Sequence, residues 1–133
     1  MINLKEKLNE KFYNDLIKCN FLDDVGELVN SEGLVGLDID DFIYYSNHNI
    51  VGSISMEFND VDTSYNINRI NDLKITDCIV NITTNDDMEL GTIMDIINKL
   101  RSFNPKLNLL YGQIINESMK SKFKVQALYL NRQ

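Results

Sequence analysis

The alternation of apolar and polar positions is clearest in the second half of the chain, between Asp77 and Tyr129. A β-branched, apolar run is typical of a buried strand. Apolar residues then recur at helical spacing, after an acidic start and before Pro105, which prevents a helix from continuing. Two further runs predict strands, of which the last alternates with lysines and glutamine as a half-exposed strand does. These four elements are predicted at 78–84, 86–101, 107–113 and 123–129.

The first half of the chain shows mainly helical spacing. One apolar stripe over 3–18 predicts an amphipathic helix whose Leu4, Leu8, Phe12 and Leu16 pack together on this domain or on a second copy. Residues 22–29 continue the helical pattern, with Asn20 as a possible break and Gly33 as a stop. A short helix, a strand and a weak helix are then predicted at 42–47, 50–58 and 65–73.

These elements predict an α+β fold, in which an N-terminal helical region precedes a four-stranded mixed β-sheet with two helices packed on it, in the order β-α-β-α-β-β. We expect one domain over 1–133, with a helical region at 1–47 and the sheet at 48–130. Alternation along 50–58 places Ile50, Gly52, Ile54, Met56 and Phe58 on one face. The core is predicted to bury seven residues together: Ile79, Ile82, Ile93, Ile97, Leu109, Val125 and Ala127.

Composition and charge narrow the class of protein. The 133 residues carry a net charge of −7, and residues 31–72 hold one basic and eight acidic residues. An acidic surface of this kind argues against a nucleic-acid partner, and it equally fits a face that only interacts with water. Cys19 and Cys78 lie in apolar contexts without metal-ligand spacing, which predicts buried, reduced thiols in a cytoplasmic protein. No apolar run is long enough to cross a membrane.

The residues with the most chemical interest lie in the loop at 33–41, which reads Gly-Leu-Val-Gly-Leu-Asp-Ile-Asp-Asp. Asp38 stands three residues before Asp41, a spacing that suits the N-terminus of a helix with Asp38 as its N-cap. Asp40 is expected to be exposed. His48 is the only histidine, and with no acidic or thiol partner near it in sequence we interpret it as a turn residue.

Several short motifs carry a resemblance to a known family. They are Val80-Asn-Ile-Thr83, Asp87-Met-Glu-Leu90, Leu109-Leu-Tyr-Gly112 and Ile115-Asn-Glu-Ser-Met-Lys120, followed by Val125 in the last strand. Their order and spacing resemble the C-terminal domain of FtsZ, the bacterial homologue of tubulin. Residues 25–34 are similar to the end of the long central helix of that family. The loop at 33–41 is similar to its synergy loop, with Asp38 and Asp41 at the two family aspartates and Gly36 in place of an asparagine.

The resemblance implies a fold and a role. In FtsZ filaments the synergy loop enters the nucleotide site of the neighbouring subunit, where its carboxylates help to position the attacking water. This sequence contains neither a Walker A pattern nor the glycine-rich run of tubulins. We therefore expect a stand-alone protein that lacks the GTP-binding domain, binds no cofactor or metal and has no catalytic residues of its own.

The partner implied by the resemblance is FtsZ or an FtsZ-like protein in bacterial cell division, contacted through Asp38, Asp41 and Gly36. No nucleic acid and no membrane are expected as partners. Three alternatives stay open: a self-associating structural protein, a fragment of an FtsZ-like GTPase, and a small-molecule enzyme, since trimers of the chorismate mutase type share this order of elements.

Overall fold

A computed structural model describes residues 2–30, 36–58, 74–85, 94–95, 97–98 and 105–132. Four helices precede a sheet of four strands within these ranges. The elements are α1 (Leu4–Lys7), α2 (Glu10–Lys18), α3 (Leu22–Asn30), α4 (Ile39–Tyr45), β1 (Asn49–Phe58), β2 (Asp77–Thr84), β3 (Asn108–Ile115) and β4 (Phe123–Asn131). The predicted helix at 65–73 lies outside the described residues. Of the predicted helix at 86–101, the four described residues, Met94, Asp95, Ile97 and Asn98, are helical.

The sheet is mixed, with the strand order β1-β4-β2-β3. β4 pairs antiparallel with both β1 and β2, whereas β2 and β3 are parallel. The predicted α+β fold with a four-stranded mixed sheet is confirmed. β4 was expected to be half-exposed, and this is wrong: six of its nine residues in a row, from Val125 to Leu130, are buried. The strand has neighbours on both edges, and both of its faces are covered.

One face of the sheet packs beneath the helical segment that contains Ile97. Ile82, Ile97, Val125 and Ala127 are buried in this cluster, and Leu109 packs against it while partly buried. Ile79 was predicted to belong to the same cluster, which is wrong. It lies three residues before Ile82 on β2, so the alternation of the strand directs it to the opposite face. Ile93, the seventh predicted core residue, lies outside the described residues.

The N-terminal helices cover the opposite face. Leu8, Phe12 and Leu16 are buried against Ile79, Leu128 and Leu130 of the sheet, and Leu4 packs at the margin. The predicted stripe therefore packs on this chain's own sheet. The single helix predicted over 3–18 is wrong, because Leu8 is extended and Asn9 starts α2, where its side chain accepts a hydrogen bond from the Lys11 amide. Asn20 separates α2 from α3 with a positive φ of 60°.

Polar contacts fix α3 on the sheet in addition to its buried Val25 and Leu28. Asp24 accepts hydrogen bonds from Ser55 Oγ of β1 at 2.8 Å and from Gln126 Nε2 of β4 at 2.7 Å. Lys124 Nζ lies 3.8 Å from Glu27 Oε2. Gln126 is fully buried, so the carboxylate of Asp24 satisfies an amide that water does not reach.

A β-bulge changes the expected faces of β1. The register with β4 shifts between Ile50 and Gly52, so Val51 is an extra residue. Ile50 consequently packs with the N-terminal helices, whereas Ile54 packs on the other face. The prediction that both lie on one face is wrong for this reason. Among the described residues, no helix is long and apolar enough to span a bilayer.

Candidate functional site

The predicted loop leads directly into α4, and buried residues on both sides hold it. Leu37, just before Asp38, and Phe42, just after Asp41, are both buried in the core under the N-terminal helices. The hydrophobic positions therefore fix the backbone between them. Asp38 and Asp41 remain at the surface, with Asp38 exposed and Asp41 half-buried.

Asp38 and Asp41 form a reciprocal capping box. The amide of Asp41 donates to Asp38 Oδ1 at 3.2 Å, and the amide of Asp38 donates to Asp41 Oδ2 at 2.9 Å. Asp38 is thus the N-cap of α4, as its spacing predicted. One oxygen of each carboxylate takes part in the box. Within the described part of the chain, neither carboxylate forms an ion pair with a basic side chain.

Gly36 and Asp40 complete the set of loop residues. Both are exposed. A Cβ atom built on Gly36 would meet no atom within 4 Å, and none of the described glycines has a positive φ. The backbone and its surroundings would therefore accept a side chain at this position, so neither steric crowding nor backbone conformation explains the glycine.

The structure brings together a second group of residues that the sequence analysis did not identify. Asp77, at the start of β2, has a side chain that is only 1% exposed. Its Oδ1 accepts a hydrogen bond from an Arg132 guanidinium nitrogen at 3.2 Å, and its Oδ2 accepts one from Thr76 Oγ1 at 2.7 Å. His48 Nε2 lies 3.7 Å from the same Oδ2. His48 lies in the turn after α4, as interpreted from the sequence, but it has an acidic partner in space that the sequence did not reveal.

Two tyrosines of α4 extend this group toward the surface. The ring of Tyr45 meets the rings of Tyr44 and His48 edge to face, with centroid distances of 4.9 and 5.1 Å. Burial raises the pKa of the Tyr45 hydroxyl, and the negative charge of Asp77 raises it further. The hydroxyl is therefore neutral near pH 7. Tyr44 is 71% exposed.

The only sequence signal for this second group was an acidic residue, Asp77, directly before a buried apolar strand. A carboxylate at such a position needs partners, because an unpaired buried charge is costly. Its partners, His48 and Arg132, lie far away in sequence, so spacing alone did not reveal them. No cluster of three or more potential metal ligands occurs in the ranges for which side chains are described.

No protein-family model and no curated protein matches the sequence. The fold matches a solved structure of an FtsZ dimer, empty, from M. jannaschii, with a TM-score of 0.58 and 16% identity over 96% of this chain and 42% of that chain.

A point mutant of FtsZ from M. jannaschii also matches, with a TM-score of 0.57 and 18% identity over 93% of this chain and 42% of that chain. This chain thus spans less than half the length of the FtsZ chains that it matches. It has the α+β fold of the FtsZ segment to which it is similar, consistent with a unit like the C-terminal domain of FtsZ.

Proposed function

We propose that this protein binds to FtsZ or an FtsZ-like protein through the start of α4 and modulates its polymers or its GTP turnover, without catalysis of its own. The observation that carries the proposal is the capping box of Asp38 and Asp41 at the surface of an FtsZ-like fold. We place this activity in the cytoplasm of a bacterial cell during division, a setting that suits the two free cysteines.

The geometry of the capping box suits a role in positioning a water molecule. Each carboxylate is held by one hydrogen bond from the backbone, and its second oxygen has no partner among the described residues. Fixed acceptors beside a bound nucleotide can orient water toward its terminal phosphate. Because such a role needs a partner that supplies the nucleotide, we propose that the two carboxylates act in trans, at the nucleotide site of another chain.

Gly36 affects how the loop meets its partner. The position has open space around it, so the family's asparagine would fit there. With glycine, this position offers no polar side chain to the partner. We therefore propose that the acidic groups of the loop bind the partner, and that Asp38 and Asp41 alone support GTP hydrolysis by the partner.

The test is GTP turnover and filament length of purified FtsZ from the same cell, with and without this protein. The decisive variant is Asp38→Asn/Asp41→Asn, because asparagine also caps helices and each side chain keeps one acceptor oxygen for the capping box while losing its charge and its second oxygen. Hydrogen bonds to charged groups contribute about 1.5–3 kcal/mol. We therefore expect that the concentration of the variant needed for half of the maximal effect on FtsZ is about tenfold higher, or more, than that of the parent.

Asp95→Asn is the matched control, since Asp95 is an exposed aspartate outside the loop, and it should act like the parent. Thermal unfolding of each variant checks that the fold is intact. If the doubly neutral variant acts on FtsZ as well as the parent does, the loop is not the contact. If the parent has no effect and sediments as an oligomer, self-association is the better explanation, and the matched FtsZ dimer gives that alternative its support.

A further inference from the structure

The outer side of α4 presents a row of exposed residues that the proposed function does not use. Asp40, Tyr44 and Asn47 are all exposed and follow one another at spacings of four and three residues. Such spacings place side chains on one side of a helix and its final turn. Tyr44 lies at the centre of this row, which we call the Tyr44 face, and its side chain is not part of the core.

The ring of Tyr44 is supported although it is exposed. Its ring centroid lies 4.9 Å from that of Tyr45, in an edge-to-face arrangement, and 6.5 Å from that of His48. His48 is in turn close to the buried carboxylate of Asp77, which Arg132 also contacts. The contacts of His48 therefore connect the ring of Tyr44 to Asp77 at the start of β2, and through Asp77 to Arg132 just after β4. A supported aromatic side chain loses less conformational freedom on binding than a mobile one.

The segment that carries the Tyr44 face is acidic, and Arg132, a basic side chain close to Tyr45, is already paired with the carboxylate of Asp77. Residues 36–58 contain no lysine or arginine and include Asp38, Asp40 and Asp41 near the face. Among the described side chains, no ion pair neutralises Asp40. A carboxylate one turn from an exposed tyrosine ring combines two groups that attract a cation.

We propose that the Tyr44 face is a docking site for an arginine-bearing segment of a partner protein. The planar guanidinium of arginine can stack on the ring of Tyr44 while its nitrogens donate to the carboxylate of Asp40. Asn47 provides an amide at the far end of the row for the backbone of the segment. Aromatic side chains and arginine are enriched among the residues that dominate binding energy at interfaces. This site does not depend on the role proposed for Asp38 and Asp41.

The probe is a synthetic peptide of alternating glycine and arginine, and its counterpart contains citrulline, which has nearly the same shape but no charge. Binding to the full chain is followed by NMR shifts of the aromatic ring and backbone signals. We expect the arginine peptide to shift Tyr44 and Asp40, and the citrulline peptide to bind at least about threefold more weakly, as expected for a cation–π contact plus an ion pair.

Variants separate the ring from the rest of the surface. Tyr44→Ala should weaken binding about two- to fivefold, whereas Tyr44→Phe, which keeps the ring, should stay within about twofold. Asp40→Asn should weaken binding to a similar extent as Tyr44→Ala. Ile17→Ala is the matched control, because Ile17 is another exposed apolar residue on a different helix, and it should leave binding unchanged.

Three results would overturn the proposal. The citrulline peptide could bind as tightly as the arginine peptide, or the shifts could centre on other acidic residues such as Asp23. Alternatively, Tyr44→Ala could bind as the parent does. If sedimentation shows that the free chain forms oligomers and Tyr44→Ala abolishes them, the occupant of this face is a second copy and the arginine-bearing partner is wrong.

Discussion

At the scale of single residues, the start of β2 shows how strand alternation separates neighbours. Asp77 and Cys78 are both 1% exposed, yet they face opposite sides of the sheet. The sequence predicted that Cys78 is buried, because the apolar strand around it is a local signal. It did not predict the environment of Asp77, since Arg132 and His48 reach it only after β4 and β1 have paired with their neighbours. Cys19 is only partly buried, which the apolar context did not predict.

The thiol of Cys78 should be unreactive in the native protein. Burial raises its pKa, and the nearby charge of Asp77 raises it further, so the thiolate that attacks reagents is scarce. In a Cys19→Ser variant, we expect Ellman's reagent at pH 8 to label Cys78 only in denaturant, or slowly in buffer through opening of the sheet. Rapid labelling of Cys78 in buffer would show that this side of the sheet is open to solvent.

The matched comparison is Cys78→Ser, which leaves Cys19 as the single thiol. Cys19 lies at the end of α2, where its Sγ is 3.6 Å from the carbonyl oxygen of Leu16. Because this residue is partly exposed, it should react in buffer without denaturant. The two single-thiol proteins should react at the same rate once both are unfolded.

At the scale of elements, the sequence predicted all four strands to within a few residues and placed the helical region before them. The sequence pattern did not predict two interruptions, one in the first helical stretch and one in β1. Asn9 starts a new helix within a continuous apolar stripe, and Val51 is an extra residue within a continuous alternation. In both cases the hydrophobic period continues on either side, so periodicity did not mark the break. Contacts near both positions, such as the hydrogen bond from Lys11 Nζ to Asn49 Oδ1, join residues far apart in sequence.

Asp24 should be important for the attachment of α3 to the sheet. Asp24→Ala removes the acceptor for Ser55 and for the buried amide of Gln126, whose Oε1 already has no partner among the described residues. A buried donor left without a partner costs about 1–3 kcal/mol, so urea unfolding should show a loss of free energy in that range.

Asp23→Ala is the control for this prediction, since Asp23 is the exposed neighbour in the same first turn of α3. Both variants lose one negative charge near the N-terminus of the helix, so the dipole contribution is matched. We expect the control to change stability by less than about 0.5 kcal/mol. Equal losses in the two variants would mean that the contacts of Asp24 with β1 and β4 contribute nothing of their own.

At the scale of the whole molecule, both faces of the sheet are covered, one by the N-terminal helices and one by the segment around Ile97. The motifs of the sequence predicted the FtsZ-like fold correctly. For the candidate site, the spacing of Asp38 and Asp41 predicted the N-cap, whereas the helix itself was predicted at 42–47 and is Ile39–Tyr45. The motifs could not predict the supported ring of Tyr44, because its support depends on residues that come from three separate parts of the chain.

The chain alone should not bind GTP. Its six glycines are scattered, and no run of them could provide the backbone amides that surround phosphate groups. Equilibrium binding of labelled GTP with magnesium should stay at background up to concentrations of about 100 μM, a range in which most enzymes bind their substrates. FtsZ with its own nucleotide site is the positive control. Micromolar binding by this chain would contradict the proposal that it acts only in trans.

The order of the strands also determines when the sheet can assemble during synthesis. β4 lies between β1 and β2 in the sheet but follows both of them in the sequence. As the chain leaves the ribosome, β1 and β2 therefore emerge before the strand that joins them, and the edges that β4 will pair stay open until it is made. Exposed strand edges readily pair with other chains. The interval between the synthesis of β1 and of β4 is thus the period in which pairing of these open edges with other chains competes most with correct assembly of the sheet.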